Sequence, residues 1–267
     1  MLKSIKTLFH SAAPQKTRAA VPKGERVYAI GDIHGRLDLF LELIRAGEED
    51  DSARGGARTT FVLLGDLIDR GPDSAGVISA ARDWAARRNV RILSGNHEEM
   101  LLLALDKNDA LRPFLRHGGR ETVLSYPVTP EAYAAADWDG LRALMAAAIP
   151  ADDIAFIRGF ETSVRIGDYL FVHAGIMPGV PLDGQRAGDF RWIREPFLSH
   201  AGDHGFVVVH GHTIADTITL RPNRIGIDTG AYFSGRLTAL VLEGTHRRLI
   251  ETIVADGAVS SQARCLP

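Results

Sequence analysis

Asp32 and His34 stand two residues apart in Gly31-Asp32-Ile33-His34-Gly35, directly after the short run Arg26–Ile30. Endings of this kind recur along the chain. Thr60–Leu64 leads into Gly65-Asp66-Leu67-Ile68-Asp69-Arg70-Gly71, and Val90–Leu93 leads into Gly95-Asn96-His97-Glu98. Two later runs end in His173-Ala174-Gly175 and His210-Gly211-His212-Thr213. Aspartate, asparagine and histidine are costly to bury without partners, and each can ligate a metal. Carboxylates, an amide oxygen and imidazoles without thiolate suit Mn, Fe, Zn or a similar ion rather than a soft-metal site. A carboxylate shared by two such ions would hold them roughly 3.5–4 Å apart, where a bridging water loses a proton near neutral pH. One such ending is an ordinary surface turn; five of them are a constellation.

The elements that must position these residues can be read from the same stretches. The runs Arg26–Ile30, Thr60–Leu64 and Val90–Leu93 are β-rich, and helical stretches Leu37–Ala46 and Ser74–Arg88 separate them. This β-α-β-α-β order predicts parallel strands with helices packed on the sheet. In open α/β sheets the carboxyl edge of the strands is where ligands bind. Gly47 is read as the end of the first helix and the polar segment Glu48–Arg58 as a loop. From about 99 to 158 strand signals vanish, and Ala- and Leu-rich pieces such as Leu141–Ile149 predict a helical insertion over the sheet edge. Ser163–Ile166 and Tyr169–His173 then form a hairpin about Gly167-Asp168. Phe206–His210, Ile218–Arg221, Arg224–Asp228, Leu237–Glu243 and Arg247–Val254 complete a β-rich second half. The expected organisation is a tail over 1–24, one domain over 25–256 and a C-terminal tail over 257–267. No internal repeat is visible.

The 267 residues, 45% hydrophobic and 24% charged, can bury a sizeable core. A formal net charge of -2 advertises no nucleic-acid partner, so an anionic substrate must be gripped by a few local arginines. No apolar run approaches the roughly 20 residues that span a bilayer. The tail mixes Lys3, Lys6, Lys16 and Arg18 with Leu2, Ile5, Leu8 and Phe9, which allows at most weak contact with a membrane surface. One cysteine, Cys265, excludes an intramolecular disulfide and fits a reducing, cytoplasmic setting.

The motifs GDIHG, GDLIDRG, GNHE, HAG and GHT, in this order, resemble the calcineurin-like metallophosphoesterases. More closely they resemble the bacterial branch related to serine/threonine phosphoprotein phosphatases and symmetrical diadenosine tetraphosphatases. The resemblance implies an α/β fold, a central β-sandwich flanked by helices, with the insertion following the third strand. It implies two divalent ions, Mn first and Fe, Zn or Ni as alternatives. Asp32, His34 and Asp66 would bind the first ion, Asp66 would bridge, and Asn96, His173 and His212 would complete the second site. His97 resembles the family's general acid, with Asp69 orienting and charging it; a carboxylate there would raise its pKa. Arg70 matches a phosphate-binding arginine, and Arg194 is chosen as the second, ahead of Arg191. His210 is read as a supporting rather than a ligating residue, and His117 as a loop residue. Ile214 replaces the final histidine of Gly-His-x-His, as in the phosphoprotein-phosphatase branch, whereas His173-Ala174-Gly175 resembles the tetraphosphatase branch. The implied activity is serine/threonine protein phosphatase, with a dinucleoside polyphosphate as the rival substrate and a non-catalytic metal- or phosphate-binding module as the rival class.

Overall fold

The computed structural model describes residues 18–266. Three parallel strands open the chain: β1 (Glu25–Ile30), β2 (Arg58–Leu63) and β3 (Val90–Ile92), with α1 (Leu37–Arg54) and α2 (Ser74–Arg87) between them. A helical segment follows: α3 (Asn96–Asp106), α4 (Asn108–Phe114), α5 (Arg120–Ser125), α6 (Pro130–Ala135), α7 (Trp138–Ala148) and α8 (Ala151–Arg158). Next come β4 (Ser163–Ile166), β5 (Tyr169–Val172), α9 (Ala187–Trp192), β6 (Val207–His210), β7 (Thr219–Leu220) and β8 (Arg224–Gly226). The chain closes with α10 (Ala231–Ser234), β9 (Arg236–Glu243), β10 (His246–Ala255) and β11 (Ala258–Cys265).

These strands make two sheets, ordered β11-β10-β9-β1-β2-β3 and β4-β5-β6-β8-β7. Alternation within β1 explains why they stack. Val27 and Ala29 face the second sheet and pack with Phe171, Val209 and Ile225, while Tyr28 and Ile30 face α1 and α2. Both faces of the larger sheet are therefore buried, as a parallel core requires. On the outer face of the smaller sheet, Leu170, Val172 and Val208 are covered by Phe190, Ile193 and Phe197. The result is the expected α/β sandwich with flanking helices. The helical insertion packs into the outer layer, where Leu111, Phe114, Val123 and Met145 join the core of α1 and α2.

Three expectations need correction. Gly47 does not end α1, because it is a packing glycine: a Cβ there would lie 3.4 Å from the Phe61 ring. The helix continues to Arg54 through the segment read as a loop, supported by Arg45–Glu49 and Arg54–Asp50 pairs one turn apart. The segment read as a C-terminal tail forms β11, antiparallel to β10. Asp256 and Gly257 both take positive φ, 51° and 77°, the Asp-Gly geometry that suits a two-residue hairpin turn. Of the expected N-terminal tail, residues 1–17 lie outside the described residues. Its last part is packed: Ala20 N donates to Asp168 Oδ2 at 3.0 Å, and Val21 is buried with its N–H on Gly244 O. No described helix is long and apolar enough to cross a membrane.

Candidate active site

The loops that leave β1, β2 and β3 are fastened to one another by backbone hydrogen bonds. Ile33 N and His34 N both donate to Asp66 O, at 3.1 and 2.9 Å, and Gly35 N donates to Leu67 O at 2.8 Å. Gly31 is required by close approach, since a Cβ there would sit 2.7 Å from Ile227 O. Glu98, in the first turn of α3, accepts from Asp66 N, Leu67 N and Gly95 N at 3.0, 2.7 and 2.8 Å. It ties the β2 and β3 loops together. Among the described residues, the non-glycine positions with positive φ are His34, Asp66, Asp69, Arg70 and His212, plus Asp256 of the hairpin turn. Such strain collects at functional sites, where the surrounding structure enforces it.

Asp32, His34, Asp66, Asp69, Asn96, His97, His173 and His212 are all buried, and they meet at one end of the sandwich. His34 Nδ1 donates to Ile68 O at 2.8 Å, and His173 Nδ1 donates to Leu64 O at 2.9 Å. A carbonyl only accepts, so Nε2 of each neutral ring is a lone pair. His173 Nε2 lies 3.4 Å from Asp66 Oδ2, 3.0 Å from Asn96 Oδ1 and 3.2 Å from His212 Nδ1. His34 Nε2 lies 3.6 Å from the same Asp66 oxygen. Acceptors turned on acceptors form a cage complementary to cations. Asp66 belongs to two groups of ligand-capable atoms that each fit within 4.8 Å, one with His34 and His97 and one with His173 and His212. Its carboxylate thus has the position of a bridge, and the donor set fits two divalent ions.

Burial disfavours charged imidazole. It lowers His34 and His212 to about 3 and His210 to about 4, which keeps these rings neutral. Burial would lower His173 too, but the Asp66 carboxylate more than offsets it and raises that pKa. Asp66 would be raised by burial, yet the rings of His173, His97 and His34 hold it well below the usual carboxylate range. Asp32 is outside both groups. Both its oxygens accept from His212 N, at 3.2 and 3.0 Å, and burial, then Asp228 and Asp66, push its pKa well up.

His97 Nδ1 lies 2.6 Å from Asp69 Oδ2, and both groups are fully enclosed. Thr122 Oγ1 donates to Asp69 Oδ1, and Asp69 N donates to the hydroxyls of Ser74 and Thr122. The expected rise in the His97 pKa is not found. Burial outweighs the Asp66 carboxylate and, with the neighbouring Arg70 guanidinium, lowers it to about 4, while Asp69 itself is raised by burial. Asp69 therefore fixes the tautomer: Nδ1 carries the proton and Nε2 points outward. Arg70 reaches that nitrogen at 2.9 Å and His34 Nε2 at 3.0 Å, with its guanidinium 4.9 Å above the Tyr232 ring.

Arg194 Nη2 is 3.5 Å from His212 O, beside the ligand cluster. Arg191 is engaged elsewhere, by Glu99, which also accepts from Trp192 Nε1. His210 Nδ1 pairs with Gly211 O at 3.0 Å and its ring packs on Phe197, outside the ligand groups. His117 sits in the wide turn after α4, yet its ring is 6.4 Å from that of His97. Two residues at the site escaped the sequence reading. Asp228 follows β8 as Asp32 follows β1, so it repeats the strand-end signal; burial raises it to about 6. Tyr232, on α10, stands edge-on to His34 at 5.5 Å and had no spacing signal.

Comparison with known proteins agrees with this geometry. A family profile described as calcineurin-like phosphoesterase matches residues 25–235. The chain is 29% identical to serine/threonine-protein phosphatase 1 of Salmonella typhimurium, over 79% of this chain and 89% of that one. It is 24% identical to a symmetrical bis(5'-nucleosyl)-tetraphosphatase of Nitrosospira multiformis, over 88% and 98%. The fold superposes on the crystal structure of a protein assigned as a diadenosine tetraphosphatase with TM-score 0.60 and 22% identity, covering 92% of this chain and 98% of that one.

Proposed function

The chain belongs to the calcineurin-like phosphoesterases, and from that premise we propose that it is a two-metal phosphatase acting on phosphoserine and phosphothreonine in proteins. The observation that carries the metal reading is the convergence of His34 Nε2 and His173 Nε2 on one Asp66 oxygen. Asp32, His34 and Asp66 would hold one ion, and Asp66, Asn96, His173 and His212 the other, with Mn as first choice and Fe, Zn or Ni as alternatives. When bound, the ions supply a water acidic enough to attack phosphorus near neutral pH and draw charge from the phosphoryl oxygens.

The chain's own residues supply the rest. Arg70 and Arg194 flank the cage and bind the equatorial phosphoryl oxygens. Substrate must displace the Arg70 contact to His97, which frees the Nε2 lone pair to take up the proton that the attacking water loses and to pass it to the leaving oxygen. Asp69 holds the ring in the tautomer that makes Nε2 the working atom. A serine alkoxide is a poor leaving group and needs that proton, so the enclosed Asp69–His97 pair favours the protein-phosphatase reading. The single cysteine, Cys265, agrees with a cytoplasmic setting. The second reading, a symmetrical dinucleoside tetraphosphatase, is favoured by the relative whose length the chain matches almost completely.

One panel tests both. A phosphopeptide, nitrophenyl phosphate and diadenosine tetraphosphate are each assayed with Mn and with chelator. Chelator-sensitive turnover with the phosphopeptide preferred supports the proposal. A kcat/KM about tenfold higher for the tetraphosphate, roughly 1.4 kcal/mol of transition-state preference, installs the second reading. Silence on all three would indicate a binding module.

A further inference from the structure

The helical insertion carries a basic cavity beside the metal cage. Arg112 on α4, with Arg116 and His117 in the turn that follows, lines a cavity of about 400 Å³ together with Pro113. All four are exposed. Neither the Arg112 nor the Arg116 guanidinium has an ion-pair or hydrogen-bond partner among the described residues, whereas Arg120 nearby pairs with Glu121 and lies over Tyr133. Two unneutralised guanidinium groups turned into one hollow make an anion-binding arrangement.

The place of this cavity sets which part of a substrate would meet it. Arg70 N donates to Gly118 O at 3.0 Å, and a Cβ on Gly118 would lie 2.7 Å from that nitrogen. The turn therefore rests directly on the phosphate-binding arginine. The His117 ring stands edge-on to that of His97, 6.4 Å away. With His97 facing the leaving oxygen, His117 stands on the leaving-group side of the site, and Arg112 and Arg116 line the same cavity as His117. Guanidinium pairs phosphate oxygens through two parallel N–H donors, which makes phosphate the best-matched anion.

Resting on the phosphoesterase reading above, we propose that Arg112, Arg116 and His117 form a subsite for a second phosphate carried on the leaving-group side of the substrate. In a phosphoprotein this is a phosphorylated residue one or two positions from the first, since extended chain advances only about 3.3–3.6 Å per residue. In a dinucleoside polyphosphate it is the next phosphate of the chain. The chemistry is shared, and the experiment separates the sources.

The Mn-loaded protein and its Arg112→Ala/Arg116→Ala variant are compared on one peptide sequence bearing either one phosphate or two. Diadenosine tetraphosphate is assayed alongside, and calorimetry measures pyrophosphate and orthophosphate binding without turnover. Wild type should favour the doubly phosphorylated peptide by about tenfold, the scale of one lost charged hydrogen bond, and the variant should lose that preference. Pyrophosphate should bind wild type about tenfold tighter than the variant, on the same scale. Arg87→Ala, an exposed arginine on α2, should leave the peptide ratio unchanged. An equal ratio in wild type and variant, or pyrophosphate affinity indifferent to the substitutions, overturns the subsite. If only the tetraphosphate is turned over, with the same dependence on Arg112 and Arg116, the subsite stands and the phosphoprotein reading falls. If nothing is turned over, the phosphoesterase reading falls and pyrophosphate binding alone decides the subsite.

Discussion

Asp66 Oδ2 lies 3.4, 3.6 and 3.8 Å from imidazole nitrogens of His173, His34 and His97, so one oxygen links both ligand groups. Asp66→Asn keeps the shape and removes the charge. We expect metal analysis of this variant to find fewer ions than in wild type and kcat to fall by at least about 10²-fold, the scale of losing one charge-stabilising group. Full metal content with intact turnover would refute the bridge. At His97 the informative variable is the leaving group. His97→Asn should slow an alkyl phosphate by about 10²–10⁴-fold, the usual worth of general acid catalysis. Nitrophenyl phosphate, whose phenolate departs unaided, should suffer far less. Equal losses on the two esters would make His97 a positioning residue. Tyr232 tests a neighbour that no spacing revealed: Tyr232→Ala removes the ring under Arg70 and should raise KM more than it lowers kcat. A change confined to kcat would remove it from phosphate binding.

Among the elements, those that carry the site were legible because chemistry and strand ends coincide. Gly31, Gly65 and Gly95 mark where β1, β2 and β3 stop, and the polar residue that follows each marks its use. What the sequence hid depends on packing. Gly47 has the look of a helix end, and only the Phe61 ring beside it shows why glycine stands inside α1. Asp256-Gly257 carried a hairpin signal, but the polar strand beyond it, Ala258–Cys265, gave no hydrophobic run to pair with it. Asp228 offered the same strand-end signal as Asp32, yet lay in a stretch without a neighbouring histidine or asparagine. Glu98 looks like a first-turn acid, and its three loop contacts become visible only once the loops are placed. Glu98→Gln turns an amide against backbone donors that need acceptors, and each N–H left unpaired costs about 1–3 kcal/mol. We expect the midpoint of thermal unfolding to drop by about 2–10 °C, taking roughly 2–4 °C per kcal/mol for a chain this size. An unchanged midpoint would show that the loops hold without it.

Across the whole molecule the proposed metal cage is also a stability problem. The sandwich and its helical layers bury Asp32, Asp66, Asp228 and Glu98 in one region, and the neighbouring His34 and His212 rings are neutral and supply no compensating charge. Cations that bind only the folded chain must stabilise it, by about 2.7 kcal/mol at a hundredfold excess over Kd. Mn should therefore raise the unfolding midpoint by about 5–10 °C, and chelator should reverse the rise. Asp32 shows where function opposes stability. Burial, Asp228 and Asp66 all push its pKa up, so holding its charged form in the metal-free protein costs stability. Asp32→Asn removes that charge while leaving an oxygen to accept from His212 N. The metal-free midpoint should rise by about 2–4 °C, roughly 1 kcal/mol, and the further rise on adding Mn should shrink. Scanning fluorimetry of both proteins, with Mn and with chelator, reads the two effects separately. A lower metal-free midpoint in the variant would mean that the Asp32 carboxylate holds the fold together, and the opposition between site and scaffold would be lost.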